Sequence, residues 1–111
     1  MKALTTGFNP TYYEDAPNLE DIKDLDGYAV LEFGAPWCGH CRAAAPAIEK
    51  VLSQTEMPHI KIFDGKGKRL GRHFGVRLWP TLILLKSGQE MERVVRPTEP
   101  HPIETLLALA Q

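Results

Sequence analysis

The spacing of apolar residues along the chain switches several times between the helical and the strand pattern. Apolar positions in segment 19–25 recur at helical spacing after the cap residue Asn18, and Asp26-Gly27 ends this predicted helix. The run from Tyr28 to Phe33 is almost continuously apolar, which is typical of a strand buried on both faces. The pattern therefore begins with a helix and a central strand.

The middle of the chain predicts a long helix, a strand and a short connection. The long helix runs from about Cys38 to about Ser53, with an apolar stripe at Cys41, Ala45, Ile48 and Leu52. Pro46 lies inside this helix and should kink it, since proline lacks an N–H and clashes with the preceding turn. Segment 59–63 predicts a strand, and segment 66–76 predicts a short helix or an irregular connection.

The C-terminal part predicts a hairpin and a last helix. The strand-like segments 81–86 and 91–95 flank a turn around Ser87-Gly88. Pro102 suits the first turn of the last helix, whose apolar face consists of Ile103, Leu106, Leu107 and Ala110. Strands that alternate with helices predict an α/β fold, with a mixed central sheet flanked by helices on both faces and an antiparallel edge hairpin.

Length, composition and charge narrow the class of protein. The 111 residues fit one domain, 1–111, in which residues 1–17 form an N-terminal extension of no assignable role. We interpret its aromatic pair Tyr12-Tyr13 as packing. The hydrophobic content of 43% is ordinary for a soluble globular protein, and the net charge of -1 argues against nucleic acid or a membrane as partner. The acidic stretch 14–26 and the basic stretch 61–77 are interpreted as solvated faces rather than as a docking patch.

The first residues of the chain contain no apolar run of the kind that signal peptides have, so none is predicted. The longest apolar run, TLILL, is far too short to cross a bilayer. We therefore expect a cytoplasmic location, where reducing conditions disfavour a permanent structural disulfide.

Cys38 and Cys41, the two cysteines of the chain, lie at the predicted start of the long helix with two residues between them. A cysteine in the first turn of a helix faces unpaired N–H groups and the positive end of the helix dipole, which favour the thiolate. Cys38 is therefore the predicted attacking thiol, and Cys41, on the apolar stripe, is the predicted resolving thiol. Gly39 permits the tight turn between them, and a protonated His40 would make the couple more oxidising.

Two other interpretations of the cysteine pair remain open at this point. A structural zinc site needs four ligands, but the chain adds to the pair only four histidines without a ligand-pair motif, which are His40, His59, His73 and His101. We therefore predict no metal site. An inert buried pair is the second alternative.

The segments EFGAPWCGHC, RAAAP and GVRLWPTLILLKSGQ resemble the thioredoxin family over about residues 26–95. Trp37-Cys38 matches the active-site signature of that family, whereas Gly39-His40 is similar to protein disulfide isomerase domains. The resemblance implies the thioredoxin fold, a helix-kinking role for Pro46, and a cis-proline at Pro80 beside the two sulfurs. The alternative for Pro80 is an ordinary trans proline at the start of a strand.

The resemblance also implies that Glu32 accepts the proton of Cys41. Burial in the apolar run disfavours the charged carboxylate, which suits a general base, and the alternative is a carboxylate at a strand end that reaches water. Thioredoxins often place a lysine beside this acid, and Lys61 is the nearest candidate.

Two departures from the family pattern bear on the binding of clients, the proteins whose disulfides would react. Trp79 stands before the cis-proline and could form an apolar platform with Trp37, or it could simply pack into the core. Arg96 stands where thioredoxin has a glycine that lets a bound polypeptide lie flat. It could bar some clients, attract acidic ones or favour the Cys38 thiolate, or it could point to solvent.

Together these features predict a thiol–disulfide oxidoreductase that reduces client disulfides through Cys38 and Cys41. Electrons would come from a separate thioredoxin-reductase-type donor, no bound cofactor is expected, and a monomer is expected. The alternatives are a disulfide oxidase or isomerase, which His40 favours, and a partner-binding module with little turnover.

Overall fold

The helices and strands follow the predicted order in the part of the chain that the structure describes. The computed structural model describes residues 7–12, 17–65 and 69–110, so that Tyr13, most of the predicted N-terminal extension and the start of segment 66–76 lie outside it. The elements are α1 (Leu19–Lys23), β1 (Tyr28–Gly34), α2 (Gly39–Leu52), β2 (His59–Phe63), α3 (Leu70–His73), β3 (Thr81–Lys86), β4 (Gln89–Val95) and α4 (Pro100–Leu107).

The strands form a mixed sheet in the order β2-β1-β3-β4. β1 pairs in parallel with β2, and its other neighbour, β3, is antiparallel to it. β3 and β4 form the predicted antiparallel hairpin. Along the parallel pair, Glu32 lies opposite Lys61. The predicted architecture, a mixed sheet with an edge hairpin, is therefore confirmed.

Each face of the sheet packs against a separate hydrophobic cluster. On one face, Leu31 and Phe33 of β1 pack with Ile22 and Leu25 from the α1 region and with Leu70 of α3. The opposite face, where Val30 lies, is covered by apolar residues of α2 and α4, which include Ala44, Ile48, Leu52, Ile103 and Leu106. This arrangement explains why β1 is apolar at nearly every position. It also places Glu32, two residues after Val30, on the face that α2 covers.

Some element boundaries differ from the prediction. α1 ends at Lys23 with Asp24 as its C-cap, whereas the predicted helix extended to residue 25. It starts at the Asn18–Asp21 capping box and lasts little more than one turn. β4 begins at Gln89, since Ser87 and Gly88 have φ values of 50° and 78° and form a tight two-residue turn. In α2 the buried stripe includes Ala44 and Ala47, whereas Ala45 is only half-buried. None of the described helices has the length and apolar content needed to cross a bilayer.

Candidate active site

The two cysteines lie at the N-terminus of α2, as predicted. Cys38 is the N-cap residue, and its Sγ accepts a hydrogen bond of 3.2 Å from the backbone N–H of Cys41. Its own N–H donates to the carbonyl oxygen of Ala35 at 3.1 Å. A sulfur at an N-cap interacts favourably with the helix dipole, and a hydrogen bond to the thiolate stabilises its negative charge. The Cys38 sulfur is therefore placed to act as a nucleophile.

Cys41 has a more enclosed environment. It is 4% exposed, compared with 9% for Cys38. Burial, followed by the interaction with the Cys38 side chain, raises the pKa of Cys41 to about 11. Hydrogen bonds from the Ala35 backbone and from the Tyr12 side chain act in the opposite direction. Cys41 is therefore a thiol at neutral pH, and a base must remove its proton before it can attack a disulfide.

Glu32 is buried on the face of the sheet that carries α2. The structure thus excludes the alternative of a strand-end carboxylate that reaches water. Its Oε1 lies 2.8 Å from Nε2 of His59. Nδ1 of His59 accepts a hydrogen bond of 2.8 Å from the N–H of Asn9, so this hydrogen-bond network assigns the ring proton to Nε2, which donates to Glu32. The carboxylate is thereby held by the Nε2–H of His59.

Lys61 lies beside this pair, and its ladder position opposite Glu32 means that it is in phase with the buried acid. Its Nζ lies 4.4 Å from the centroid of the Tyr12 ring and 3.4 Å from the carbonyl oxygen of Pro10. Lys61 therefore fastens the segment 7–12 against β2.

The residues around Pro80 form the other side of the site. The Trp79–Pro80 peptide bond is cis, as the resemblance implies. The indole of Trp79 packs against the cluster of Ala35, Cys38 and Cys41, and its Nε1–H donates to the Asp64 carboxylate at 2.9 Å. Burial raises the pKa of Asp64, although this hydrogen bond opposes the shift.

Arg96 contacts the same segment. Its N–H donates to the carbonyl oxygen of Pro80 at 2.8 Å, and its Nε–H donates to the carbonyl oxygen of Trp79 at 2.9 Å. The φ angle of Arg96 is 53°, in the left-handed region where glycine is favoured. The side chain is exposed, but it is also hydrogen-bonded to the backbone in front of the cis-proline.

Trp37 is the large exposed side chain next to the thiols. It is 61% exposed, and its ring meets Phe63 edge-on with a centroid distance of 5.2 Å. Both rings line a shallow groove of about 370 Å³ together with Pro10, Thr11, Tyr12 and Pro36. Gly39 and His40 are exposed in the first turn of α2.

Sequence reasoning did not assign a role in the site to Tyr12, Asn9 or His59. The sequence pattern suggests His59 only as a possible zinc ligand, and no cluster of three potential ligands occurs among the described residues. The sequence contains one signal for the role of His59. His59 and Lys61 are alternate polar residues of a buried strand, so they share one face and need polar partners there. The contacts with Asn9 and Tyr12 cross about 50 and 30 residues of chain and left no comparable signal.

The mixed sheet, the cysteine pair at a helix N-terminus and the adjacent cis-proline define a dithiol–disulfide protein with the thioredoxin fold. The family model for thioredoxin matches residues 11–108, and the chain belongs to the thioredoxin family. It is therefore a thiol–disulfide oxidoreductase.

Individual proteins agree with this assignment. The chain is 42% identical to reduced thioredoxin 2 from Pseudomonas aeruginosa PAO1, with a TM-score of 0.82 over 93% of this chain and 97% of that one. It is 31% identical to thioredoxin 1 from Nostoc sp., over 73% of this chain and 78% of that protein. A protein disulfide isomerase-like protein from Oryza sativa is 33% identical over 67% of this chain but only 16% of its own length.

Proposed function

We propose that this protein reduces disulfide bonds of client proteins. The observation that carries the proposal is the pairing of an N-cap Cys38 sulfur with a buried Cys41 thiol in the first turn of the same helix, with Glu32 buried on the face of the sheet that this helix covers. The likeness to thioredoxins, near full-length for the Pseudomonas aeruginosa protein, supports the reductive direction. That direction requires surroundings that keep both cysteines reduced, so we propose a cytoplasmic location and a separate reductase as electron donor.

The reaction takes place in two exchanges. The Cys38 thiolate attacks one sulfur of the client disulfide, and the other client sulfur leaves as a thiolate. Cys41 then transfers its proton to Glu32 and attacks the Cys38 sulfur, which releases the second client thiolate. The client gains two electrons, and Cys38 and Cys41 end as a disulfide.

The backbone around the cis-proline would hold the client chain. Trp79 packs against the cysteine cluster and Pro80 follows it in the chain, and an extended client segment could pair with their backbone as an added strand. Arg96 would contact such a client, because its side chain is already bonded to the Trp79 carbonyl oxygen. Trp37 would provide an apolar surface beside the thiols.

Turnover and the reactivity of the two thiols test this proposal together. Reduction of insulin by dithiothreitol should accelerate when the protein is added, and a Cys38→Ser variant should give no acceleration. Iodoacetamide should alkylate Cys38 before Cys41 near neutral pH. No acceleration by the wild-type protein, together with a Cys38→Ser variant that retains partner binding, would instead indicate a binding module.

His40 between the cysteines favours a second candidate, a disulfide oxidase or isomerase, since matching proteins include protein disulfide isomerases. The Cys38–Cys41 potential measured against glutathione separates the two. A potential close to that of thioredoxin, about -270 mV, supports the reductase. A potential close to that of protein disulfide isomerase, about -180 mV, supports the isomerase.

A further inference from the structure

The segment 7–12 is fastened along β2 and delivers Tyr12 to the resolving cysteine. The N–H of Gly7 donates to the carbonyl oxygen of Met57 at 3.0 Å, and the Asn9 side chain donates to the carbonyl oxygen of His59 at 3.2 Å. With the Asn9–His59 and Lys61–Pro10 bonds described above, these contacts tie the segment to the strand at several points. Tyr12 is therefore held in a fixed place rather than on a loose extension.

The Tyr12 hydroxyl and the Cys41 sulfur occupy one small space next to Gly34. A Cβ atom at Gly34 would stand 2.7 Å from Sγ of Cys41 and 3.0 Å from the Tyr12 oxygen. Only a residue without a side chain leaves room for both atoms at the end of β1. The two groups are thus neighbours, and the hydroxyl is hydrogen-bonded to the sulfur.

The surroundings of Tyr12 keep its proton on the oxygen. Burial, followed by the negative charges that Glu32 and Cys41 can carry, raises the pKa of Tyr12. A phenol that remains protonated can act as a hydrogen-bond donor to a sulfur anion throughout the working range of the protein.

We propose that the Tyr12 hydroxyl is a catalytic hydrogen-bond donor that stabilises the Cys41 thiolate while Cys41 displaces the client. This inference rests on the proposed reductase function, because it concerns the second exchange of that reaction.

The hydrogen bond acts on one step only. When the Cys41 proton moves to Glu32, negative charge develops on the Cys41 sulfur, and the bond from Tyr12 strengthens. Cys41 then forms the bond to Cys38, the bond between Cys38 and the client sulfur breaks, and the client sulfur leaves with the electron pair. Tyr12 keeps its proton throughout. The first exchange, at Cys38, does not require the hydroxyl.

The matched variants Tyr12→Phe and Tyr28→Phe test the proposal. Each removes one hydroxyl oxygen, but Tyr28 lies at the opposite end of β1, about 20 Å from Gly34. The fully reduced proteins are mixed with the aromatic disulfide dithiobis(nitrobenzoic acid) in a stopped-flow instrument. Two successive releases of thionitrobenzoate report the attack by Cys38 and the resolution by Cys41.

We expect Tyr12→Phe to leave the first release unchanged and to slow the second about tenfold, which is the size of a hydrogen bond to a charged group. Tyr28→Phe should match the wild type in both. A second release in Tyr12→Phe within about twofold of wild type would overturn the proposal. If the wild type itself shows no second release and does not accelerate insulin reduction, the proposed function fails instead.

A second substitution covers the case in which Tyr12→Phe does not fold. Fluorotyrosine at position 12 keeps the ring and the hydroxyl but makes the hydroxyl a stronger donor. It should accelerate the second release and leave the first unchanged, and an unaltered or slower second release would contradict the proposed role.

Discussion

Glu32 and His59 form a buried pair in which each side chain satisfies the other. Their side chains are 3% and 0% exposed, and neither can turn to water for a hydrogen bond. Breaking such a pair by removing one partner is expensive, because the remaining polar group stays buried without compensation. His59 therefore holds the Glu32 carboxylate in place, and in the mechanism that we propose Glu32 accepts the proton of Cys41 while His59 acts only on Glu32.

We predict that His59→Leu lowers the free energy of unfolding of the reduced protein by about 3 kcal/mol, since it leaves the Glu32 carboxylate unpaired. Urea denaturation followed by circular dichroism measures this change. The double variant with Glu32→Leu serves as the control, because removing both polar groups should restore part of the loss. Equal stabilities of His59→Leu and wild type would contradict the pairing.

Cys41 makes the stability of the reduced protein depend on pH. Its pKa is raised from 9.0 to about 11 in the folded state, so the unfolded chain loses this proton first as the pH rises. The stabilising contribution is therefore complete below about pH 9 and disappears as the pH approaches about 11.

We thus predict that the melting temperature of the reduced protein falls more steeply between about pH 9 and pH 11 than that of Cys41→Ala. Subtracting the two curves removes the titration of other groups. Parallel curves would show that the Cys41 thiol is not perturbed by folding.

At the scale of elements, the site lies where the end of β1, the start of α2 and the start of β3 come together. β1 ends at Gly34, α2 begins after Cys38, and β3 begins after Pro80. Local patterns predicted all three: the apolar run predicted the end of β1, the helical stripe predicted the start of α2, and the hairpin pattern predicted the start of β3. Arg96, the residue after β4, belongs to no such local pattern. In the structure its side chain donates a hydrogen bond to the Trp79 carbonyl oxygen. A client strand that pairs with Trp79 would compete for that oxygen.

We predict that Arg96→Gly raises kcat/KM for an unfolded, disulfide-linked peptide a few-fold, because it frees the Trp79 carbonyl oxygen. The free energy of unfolding should stay the same or rise by about 1 kcal/mol, since glycine adopts a positive φ without strain. Arg96→Lys keeps the charge but lacks the Nε donor, and it separates the two effects. A fall in kcat/KM with glycine would mean that the arginine itself attracts clients.

At the scale of the whole molecule, β4 is an edge strand of the sheet, and its side chains bear on whether a second copy could pair with it. β4 carries three charged side chains, Glu90, Glu92 and Arg93, and Arg93 donates to Glu90 at 2.6 and 2.7 Å. Charges on an edge strand oppose association through the unpaired backbone groups.

We predict that light scattering gives the mass of a single chain across a wide range of protein concentration. Glu92→Val, which makes the edge more apolar, should shift the distribution toward larger species at high concentration. A wild-type mass near twice that of one chain would contradict the monomer.

Local patterns in the sequence predict the order of the elements and the position of Cys38 at the start of a helix, since both depend on residues close together in the chain, whereas the place of Pro80 beside the sulfurs comes from the thioredoxin resemblance. The thioredoxin resemblance added Glu32 in its buried strand. These local signals are strong because hydrophobic spacing and capping involve only neighbouring turns.

The surroundings of Cys41 could not be read from the sequence and emerge from the packing of the folded chain. Asn9 is 50 residues from His59, and Tyr12 reaches Cys41 across a space left by Gly34. Such contacts depend on the register of β2 against β1 and on how the first segment lies along β2. No periodic pattern records that geometry, because it results from packing between segments that are distant in the chain.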